Sequence, residues 1–484
     1  MIKKILYITI VAVSLQSCAT LSGSHPEKMT VVKNSFSTEN QPLSQEKALE
    51  EIFDSDNQDA NIGYLEKGRF EQLNNETDQS TRNYGNAIAA VRSVAMQPII
   101  KVSSIAQDTA SVLTSDKERD YKIPSYQVSF LYAYQALNYL KQNKLESAAV
   151  SIRNLSDAQD IKRKQEELAK QEEQKSVGTL SKIFNMKSLS SYLASSGELK
   201  SIDTLAKGAS NSYANPLSYY LEAIVYEAYD TNYNNAFLSI KNAKDAAPNN
   251  KYIEKTFNAF YSANRGGPAY TYNNGRLTII YEQGFVTPLS KCEIAIPMST
   301  SFITSAVLNT SIPAIKVSLP CYKLQKDAKP ISAVDIKIYS NGKLIMSDKT
   351  NILVDTTAMA AKSLQEDYPA IMTRELLRAT TKTVATVAAA NAARHSSGNY
   401  ADVASLSVTI LGSLYQMFTT VADNRSWLLL PNDAQLYVND LSEDHYSIDI
   451  AGIKENVIIK NGKNTLVWVT STGKYHTTQY NNFL

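Results

Sequence analysis

The chain of 484 residues contains little cysteine, histidine or tryptophan, with 3 Cys, 4 His and 2 Trp. The histidines, His25, His395, His445 and His476, share no metal-site spacing with one another or with the cysteines, so we expect surface residues. The sequence also lacks a Walker loop, a GxSxG nucleophile elbow, an HExxH helix and a calcium-binding loop. These absences predict no metal site, no cofactor and no catalytic residues, and hence a protein that is not an enzyme.

A dominant charge of either sign is also missing. Lys and Arg total 49, Asp and Glu total 47, and the chain has no basic block that could form a nucleic-acid surface. Such surfaces are strongly basic, so the balance argues against a nucleic-acid partner. The length is sufficient for two or three domains with sizeable cores.

The N-terminus has the features of an export signal. Two lysines precede an apolar run at residues 5–13, which is far shorter than the roughly 20 residues that a membrane-spanning helix needs. The sequence Leu-Gln-Ser-Cys at residues 15–18 resembles the bacterial lipobox. We predict a lipoprotein signal peptide at residues 1–17 and a lipid anchor, of diacylglycerol and fatty acids such as palmitate, on Cys18.

The residues after the anchor indicate in which membrane the protein is expected and how it is attached there. Ala19, rather than Asp, follows Cys18. By analogy with lipoprotein sorting in enteric bacteria, this favours the outer membrane with the protein facing the periplasm, while inner-membrane retention and surface display stay open. Residues 18–57 are mostly polar and are predicted to form a flexible lipid tether.

Residues 58–265 are predicted to form a tetratricopeptide-like helical domain, in which small residues let paired helices approach and bulky residues fill the gaps. The clearest unit begins at Leu217, a second begins at Ser129 and a weaker third begins at Asn61. The predicted packing residues are Tyr132, Ala136, Tyr139, Ala148, Tyr220, Ala236, Ile240, Ala243 and Pro248, with Gly68 and Tyr84 in the third unit.

The first helix of such a unit usually lines a concave groove for a peptide or protein partner. The groove positions are mostly apolar here, so a binding groove and a face buried against other helices both stay open. These positions are Phe130, Ala133, Leu137, Leu140, Ser218, Leu221, Val225 and Ala228.

The pattern changes to period 2 after residue 275, which predicts an antiparallel β-sandwich-like domain over residues 276–484 and an α+β fold class overall. Asn-Gly pairs at residues 341–342 and 461–462 predict two hairpins. Cys292 and Cys321 fall in adjacent strand segments. In an oxidising compartment they are predicted to form a disulfide, with two free buried thiols as the alternative.

A helical insertion is predicted at about residues 356–421, entered through Asp355. Its last part, residues 403–421, is apolar nearly all round. A hairpin buried against the sandwich is favoured because Ala and Thr are common and basic flanks are sparse. A hairpin that touches the membrane stays open.

Several stretches together carry a family resemblance: residues 139–148, 281–288, 353–355, 368–371 and 423–427. From about residue 55 to about residue 440 the chain resembles a family of uncharacterised proteobacterial tetratricopeptide lipoproteins. The resemblance implies no activity, cofactor or catalytic residue. It implies an envelope-assembly setting, since some members lie near lipoprotein activators of cell-wall synthases.

The predicted function is that of a non-enzymatic cell-envelope lipoprotein acting as a protein–protein interaction scaffold in the periplasm. The alternatives are a peptidoglycan-binding or cell-wall-synthase-regulating module and a subunit of a secretion or surface structure. Carboxylates that converge in a cleft, such as Glu222, Glu227 and Asp230, would support an enzyme or a glycan-binding module. Arg425 is expected to pair with an Asp at a helix-to-strand corner rather than to bind a ligand carboxylate.

The lipid prediction can be tested by labelling cells with radioactive palmitate. Replacing the anchor by Cys18→Ala should abolish labelling of the protein, because the acyl chains attach to residue 18. The double variant Cys292→Ala/Cys321→Ala serves as the control and should keep the label. Label that persists in Cys18→Ala would refute the anchor.

Overall fold

The computed structural model describes residues 24–38, 45–52, 59–96, 120–158, 164, 185–230, 232–297, 314–323, 331–396 and 422–482. The predicted signal peptide, the anchor at Cys18 and the apolar part of the predicted insertion at residues 403–421 lie outside these ranges.

The structure is mixed α and β, with helices first and sheets after them, as the sequence predicts at this level. The helices are α1 His25–Thr38, α2 Gln45–Ile52, α3 Ala60–Leu73, α4 Thr77–Met96, α5 Ser125–Lys141, α6 residues 145–158, α7 Met186–Ser195, α8 Gly197–Ala206, α9 Pro216–Tyr229, α10 Asn234–Ala246 and α11 Lys251–Ala263. The strands before the last helix are β1 Asn274–Gln283, β2 Ser290–Pro297, β3 Ala314–Cys321, β4 Asp335–Ser340, β5 Lys343–Lys349 and β6 Asn351–Asp355. Helix α12 Thr356–Ser396 follows β6. The strands after it are β7 Asp433–Ser442, β8 Asp444–Ile450, β9 Ile453–Ile459, β10 Asn464–Ser471 and β11 His476–Asn482.

Small residues decide how closely helices α3 and α4 approach. A Cβ atom added to Gly68 would lie 2.5 Å from the ring of Tyr84, so only glycine fits at this crossing. The Ser80 hydroxyl donates a hydrogen bond to the Gly68 carbonyl oxygen over 2.7 Å and fixes the contact. The repeat unit that is weakest in sequence therefore contains a very close helix crossing.

Residues close together in the sequence determine where the hairpin of α9 and α10 begins and how its two helices pack. The side chain of Asn215 accepts a hydrogen bond from the Leu217 backbone N–H, and Pro216 occupies the first helical position, where its missing donor does no harm. Ala236 and Ala243 are fully buried where α10 faces α9. Of the other predicted packing residues, Tyr132, Ala136, Ala148, Tyr220 and Ile240 are buried, Tyr139 is half-buried and Pro248 is exposed.

The central sheet has five strands in the order β11-β10-β1-β7-β6. Strand β1 pairs antiparallel with β7 but parallel with β10, with Arg276 opposite Asn464. A purely antiparallel arrangement was therefore the wrong prediction. Strand β10 follows β9 in the chain, but β9 belongs to another sheet. No hairpin connection therefore forces β10 to run antiparallel to its neighbour β1.

A four-stranded sheet has the order β5-β4-β8-β9, and β2 pairs with β3 separately. The Asn341-Gly342 turn joins β4 to β5 as predicted, with both residues at positive φ. The hairpin predicted around Gly462 is wrong, because β9 and β10 belong to different sheets. Gly462 has positive φ, but the strands that it joins find other partners. The sequence missed the β8–β9 hairpin, which turns at residues 451–452.

In the structure a disulfide joins Cys292 to Cys321, with their Cα atoms 5.9 Å apart. The two residues lie on the antiparallel strands β2 and β3, where Cys292 is opposite Leu319 and Cys321 is opposite Ser290. The bridge is thus a diagonal link across one strand pair.

The flexible tether predicted for residues 18–57 is wrong over helix α1. Met29, Val32 and Phe36 are all fully buried and recur at the spacing of one helical face. The polar composition of the segment predicts a flexible chain, but its three apolar residues pack into the protein core.

A buried ion pair connects the helices to the central strand. Arg69 on α3 donates a short hydrogen bond to Glu282 on β1, and both side chains are almost completely buried. Tyr134 and Thr470 also donate to the Glu282 carboxylate, each over 2.7 Å, and the Arg69 guanidinium lies 4.2 Å from the centre of the Tyr134 ring. Burial alone would lower the pKa of Arg69, but Glu282, together with Tyr134 and Tyr84, raises that pKa above its ordinary value.

Removing one partner should leave the other as an uncompensated buried charge. We expect Arg69→Met to lower the free energy of unfolding by about 3–5 kcal/mol in urea titrations. Combining it with Glu282→Gln should cost less than the sum of the single variants. The exposed pair Lys244–Glu254 is the control, for which Lys244→Met should cost about 1 kcal/mol or less. An Arg69→Met variant as stable as the wild type would contradict this role.

Candidate functional site

The predicted peptide groove is filled by the protein itself. Its positions Phe130, Ala133, Leu137, Leu140, Ser218, Leu221 and Val225 are buried, and Ala228 is half-buried. Next to Phe130 on α5, the ring of Tyr134 lies 5.9 Å from Trp427 and 6.3 Å from Trp468, which belong to the strand half. Among the described residues, this face of the helices is therefore core and not a binding surface.

The three carboxylates that could have formed a catalytic cluster point to different places. Glu222 accepts a hydrogen bond from Ser156 over 2.8 Å. Glu227 on the same helix accepts a hydrogen bond from Tyr270, which precedes β1, over 2.6 Å and pairs with Arg276 of β1 at 3.4 Å. Asp230 is bonded to the Asn235 amide at the surface, so the three groups do not converge.

Glu222 nevertheless has an unusual environment. Its carboxyl group is buried, and burial raises its pKa from 4.5 to about 7, although hydrogen bonds from Ser156 and Ser239 lower it again in part. A buried carboxyl group with a raised pKa can act as a general acid when it lines a cleft. Glu222 is only 4% exposed, and its hydroxyl partners come from the protein, so we interpret it as a structural group.

Arg425 has the structural role that the sequence favours. It donates to Asp423 over 2.7 Å and to Asp59 over 2.8 Å, and it lies 5.6 Å from the ring of Tyr121. Burial alone would lower the pKa of Arg425, but the two carboxylates raise it. This cluster connects the segment that precedes β7 to the residue that precedes α3.

His25 is not the surface residue that the sequence predicts. Its side chain is only 9% exposed, and its Nε2 atom lies 3.2 Å from Glu66 and 3.1 Å from the Ser426 carbonyl oxygen. His445 and His476 are exposed, as expected. No group of three possible metal ligands occurs within the described ranges. Over the same ranges, no helix has the length and apolar character needed to cross a membrane.

An open surface rich in aromatic residues lies on α10 and α11. Helix α11 turns Ile253 and Phe260 inward, but its outer side carries Phe257 and Tyr261. Their rings stack at 6.1 Å, and Phe237 of α10 packs against both at 5.6 and 5.8 Å. Leu238 follows with 48% of its surface exposed. We call Phe237, Leu238, Phe257 and Tyr261 the aromatic patch.

Two cations border the aromatic patch. The Lys244 ammonium lies 4.3 Å from the centre of the Phe257 ring, and the Arg265 guanidinium lies 4.4 Å from that of Tyr261. Tyr261 itself is 40% exposed. Lys244 is also paired with Glu254 at 3.0 Å, so the patch offers flat apolar rings beside the positive charge of Arg265, which suits a partner with apolar and acidic groups.

A small cleft of about 250 Å³ opens where α11 meets β5 and β7. Its lysines already have partners, with Lys251 3.1 Å from Asp348 and Lys255 3.4 Å from Asp440. Tyr252 donates to the Lys349 carbonyl oxygen over 2.6 Å. The charges of the cleft are thus matched internally, and it is a weaker candidate than the aromatic patch.

Comparison with known proteins gives no match: no family model, no curated protein and no solved structure is similar to this chain. The function has to be inferred from the residues and their arrangement.

Sequence reasoning missed the key charged groups of the interior, namely Arg69, Glu282, Glu66 and Lys33. The available signal was a charged residue directly after an apolar stretch of a strand, as Glu282 is after Ile279, Ile280 and Tyr281 in β1.

The buried Glu222 should make stability depend on pH. Its folded pKa of about 7 lies above the ordinary 4.5, so the folded state keeps the proton longer, and stability is lost as pH rises from about 4.5 to 7. Glu222→Gln should remove this loss and gain up to about 3 kcal/mol over the wild type at pH 8, with little difference at pH 4.5. Urea titrations at both pH values measure it, with the exposed Glu254→Gln as control. An equal difference at both pH values would contradict the raised pKa.

Proposed function

We propose that this protein is a non-enzymatic cell-envelope lipoprotein that holds a periplasmic partner protein on the aromatic patch. The lipid on Cys18 would attach it to the outer membrane. The observation that carries the proposal is the patch, in which Leu238 and Tyr261 are exposed while the rings of Phe237 and Phe257 are partly buried and pack against Tyr261. Exposed apolar groups in one place are typical of protein interaction sites.

We further propose that the helical half is tetratricopeptide-like and the strand half sandwich-like. Support for the first comes from the fully buried Ala236 and Ala243 in the α9–α10 hairpin and from α11, which follows as a third helix. Support for the second comes from the contact between the two larger sheets. A Cβ atom on Gly275 of β1 would lie 2.1 Å from the Lys460 carbonyl oxygen after β9. Membership of the tetratricopeptide lipoprotein family is part of the same proposal.

The partner segment would carry apolar side chains flanked by acidic ones. Apolar groups would cover Leu238 and the exposed edge of Tyr261, and a carboxylate would meet the guanidinium of Arg265. Tyrosine suits such contacts because it offers a large rigid surface and loses little conformational entropy. Since the groove face is filled, binding would use the outer side of the hairpin.

A peptidoglycan-binding role is the second candidate, and one observation favours it. The rings of Phe257 and Tyr261 are nearly parallel, with 17° between their planes, and Tyr261 is open to solvent. An exposed flat ring can stack on a sugar. The protein partner ranks first because the patch also contains the exposed aliphatic side chain of Leu238 and is bordered by Arg265.

The test is cross-linking in cells followed by affinity capture and mass spectrometry of the lipidated protein. We expect Leu238→Glu to reduce capture of the partner about tenfold, because a carboxylate would be desolvated in the interface. Leu344→Glu is the matched control, since Leu344 on β5 is 47% exposed but lies outside the patch. Equal loss in both variants, or no loss in either, would contradict a binding role for the patch.

Purified peptidoglycan sacculi distinguish the second candidate. If the wild type is retained on sacculi and captures no stable protein partner, and Leu238→Glu abolishes that retention, the glycan role replaces the scaffold role. If capture instead brings down components of an export machine, the chain belongs to a secretion or surface structure.

A further inference from the structure

The start of helix α1 determines how far the folded protein can move from its anchor. The first described residue is Ser24, and seven residue steps separate His25 from Cys18. Even a fully extended chain spans only about 3.3–3.6 Å per residue, so this segment reaches about 25 Å at most. A lipid on Cys18 would therefore hold the N-terminus of α1 close to the bilayer.

Helix α1 is firmly attached to the rest of the protein. The ring of Phe36 lies 5.4 Å from Phe70, 5.9 Å from Phe285 and 5.3 Å from Tyr475. The Lys33 ammonium donates to the Val286 carbonyl oxygen over 3.0 Å. With Met29 and Val32 also fully buried, α1 cannot lengthen the tether without exposing a part of the core.

These contacts place α1 across one end of the central sheet. Phe285 and Val286 follow the last residue of β1, Gln283, which is opposite Ser471 at the end of β10. Tyr475 lies in the turn from β10 to β11. We call this the α1 end of the sheet. Its outermost side is the exposed face of α1, with Thr30 and Val31, and Val31 is 49% exposed.

The aromatic patch lies toward the opposite end. Phe260, whose helix carries the patch, is 5.5 Å from Arg276 near the start of β1. At that start, Gly462 donates a hydrogen bond to the Asn274 carbonyl oxygen over 3.0 Å. The nine steps between the first and the last of the ten residues of β1 make the two ends about 30 Å apart.

We propose that the α1 end of the sheet rests against the lipid headgroups, with the outer face of α1 toward the bilayer and the aromatic patch directed into the periplasm. This inference rests on the lipid anchor of the proposed function. It adds that the protein binds its partner while standing on the membrane at a fixed orientation. A freely floating body on a long leash is excluded by the short segment and the buried helix.

The test uses lipidated protein in vesicles of phosphatidylethanolamine and phosphatidylglycerol with nitroxide-labelled headgroups. Single cysteines, Val31→Cys at the α1 end and Lys463→Cys at the far end, carry a fluorophore, since Cys292 and Cys321 are joined and Cys18 is acylated. We expect several-fold stronger quenching at position 31 than at position 463. Equal quenching at both positions, or stronger quenching at 463, would overturn the proposal.

A spacer variant separates tether length from affinity of the surface for lipid. Inserting about 20 Gly and Ser residues between Ser22 and Gly23 adds an average reach of about 25 Å. Quenching at position 31 should then fall toward the value at 463, and unchanged quenching would show that the tether does not set the orientation. Flotation with the vesicles and the mass of the N-terminal peptide are measured first. Protein that neither floats nor carries lipid would refute the anchor itself, and the orientation with it.

Discussion

The pairing of Arg69 with Glu282 is the constraint on which the other contacts depend. A fully buried carboxylate near the end of the central strand β1 is tolerable only if a cation and hydrogen-bond donors reach it, and those come from α3, α5 and β10. The helices must therefore pack with their inner faces on the sheet. In this arrangement the side chains at the predicted groove positions are buried in the core. Tyr134, for example, packs against Trp427 and Trp468.

The consequence for function is that the helices can offer only their outer side to a partner. On that side the α10–α11 pair carries the aromatic patch, about the length of β1 away from the helix that follows the predicted lipid. The N-terminal helix and the patch thus lie toward opposite ends of one sheet. In the proposed arrangement, a short tether and a buried first helix would make the lipid set the orientation of the protein as well as its attachment.

Much of the local structure was predictable from the residues themselves. Gly68 and Tyr84 indicated a close helix crossing, and the structure has no room there for a Cβ atom. Asp355 indicated the entry to a helix, and its carboxylate accepts a hydrogen bond from the Ala358 backbone N–H over 2.8 Å. The Asn341-Gly342 turn formed its hairpin. The candidate site was less predictable, because exposed aromatic residues on α11 have the same spacing in sequence as buried ones.

The sequence by itself determined the order of helices and strands, the turns at asparagine and glycine, and the small residues at helix crossings, because each depends on residues near one another in the chain. The tertiary structure decided which strand pairs with which, since the Gly462 turn fixes a backbone conformation but not the sheet that each strand joins. It also decided that α1 is part of the core and that the groove is filled. Both outcomes depend on partners hundreds of residues away, as with His25 and Ser426, and no local pattern records such contacts.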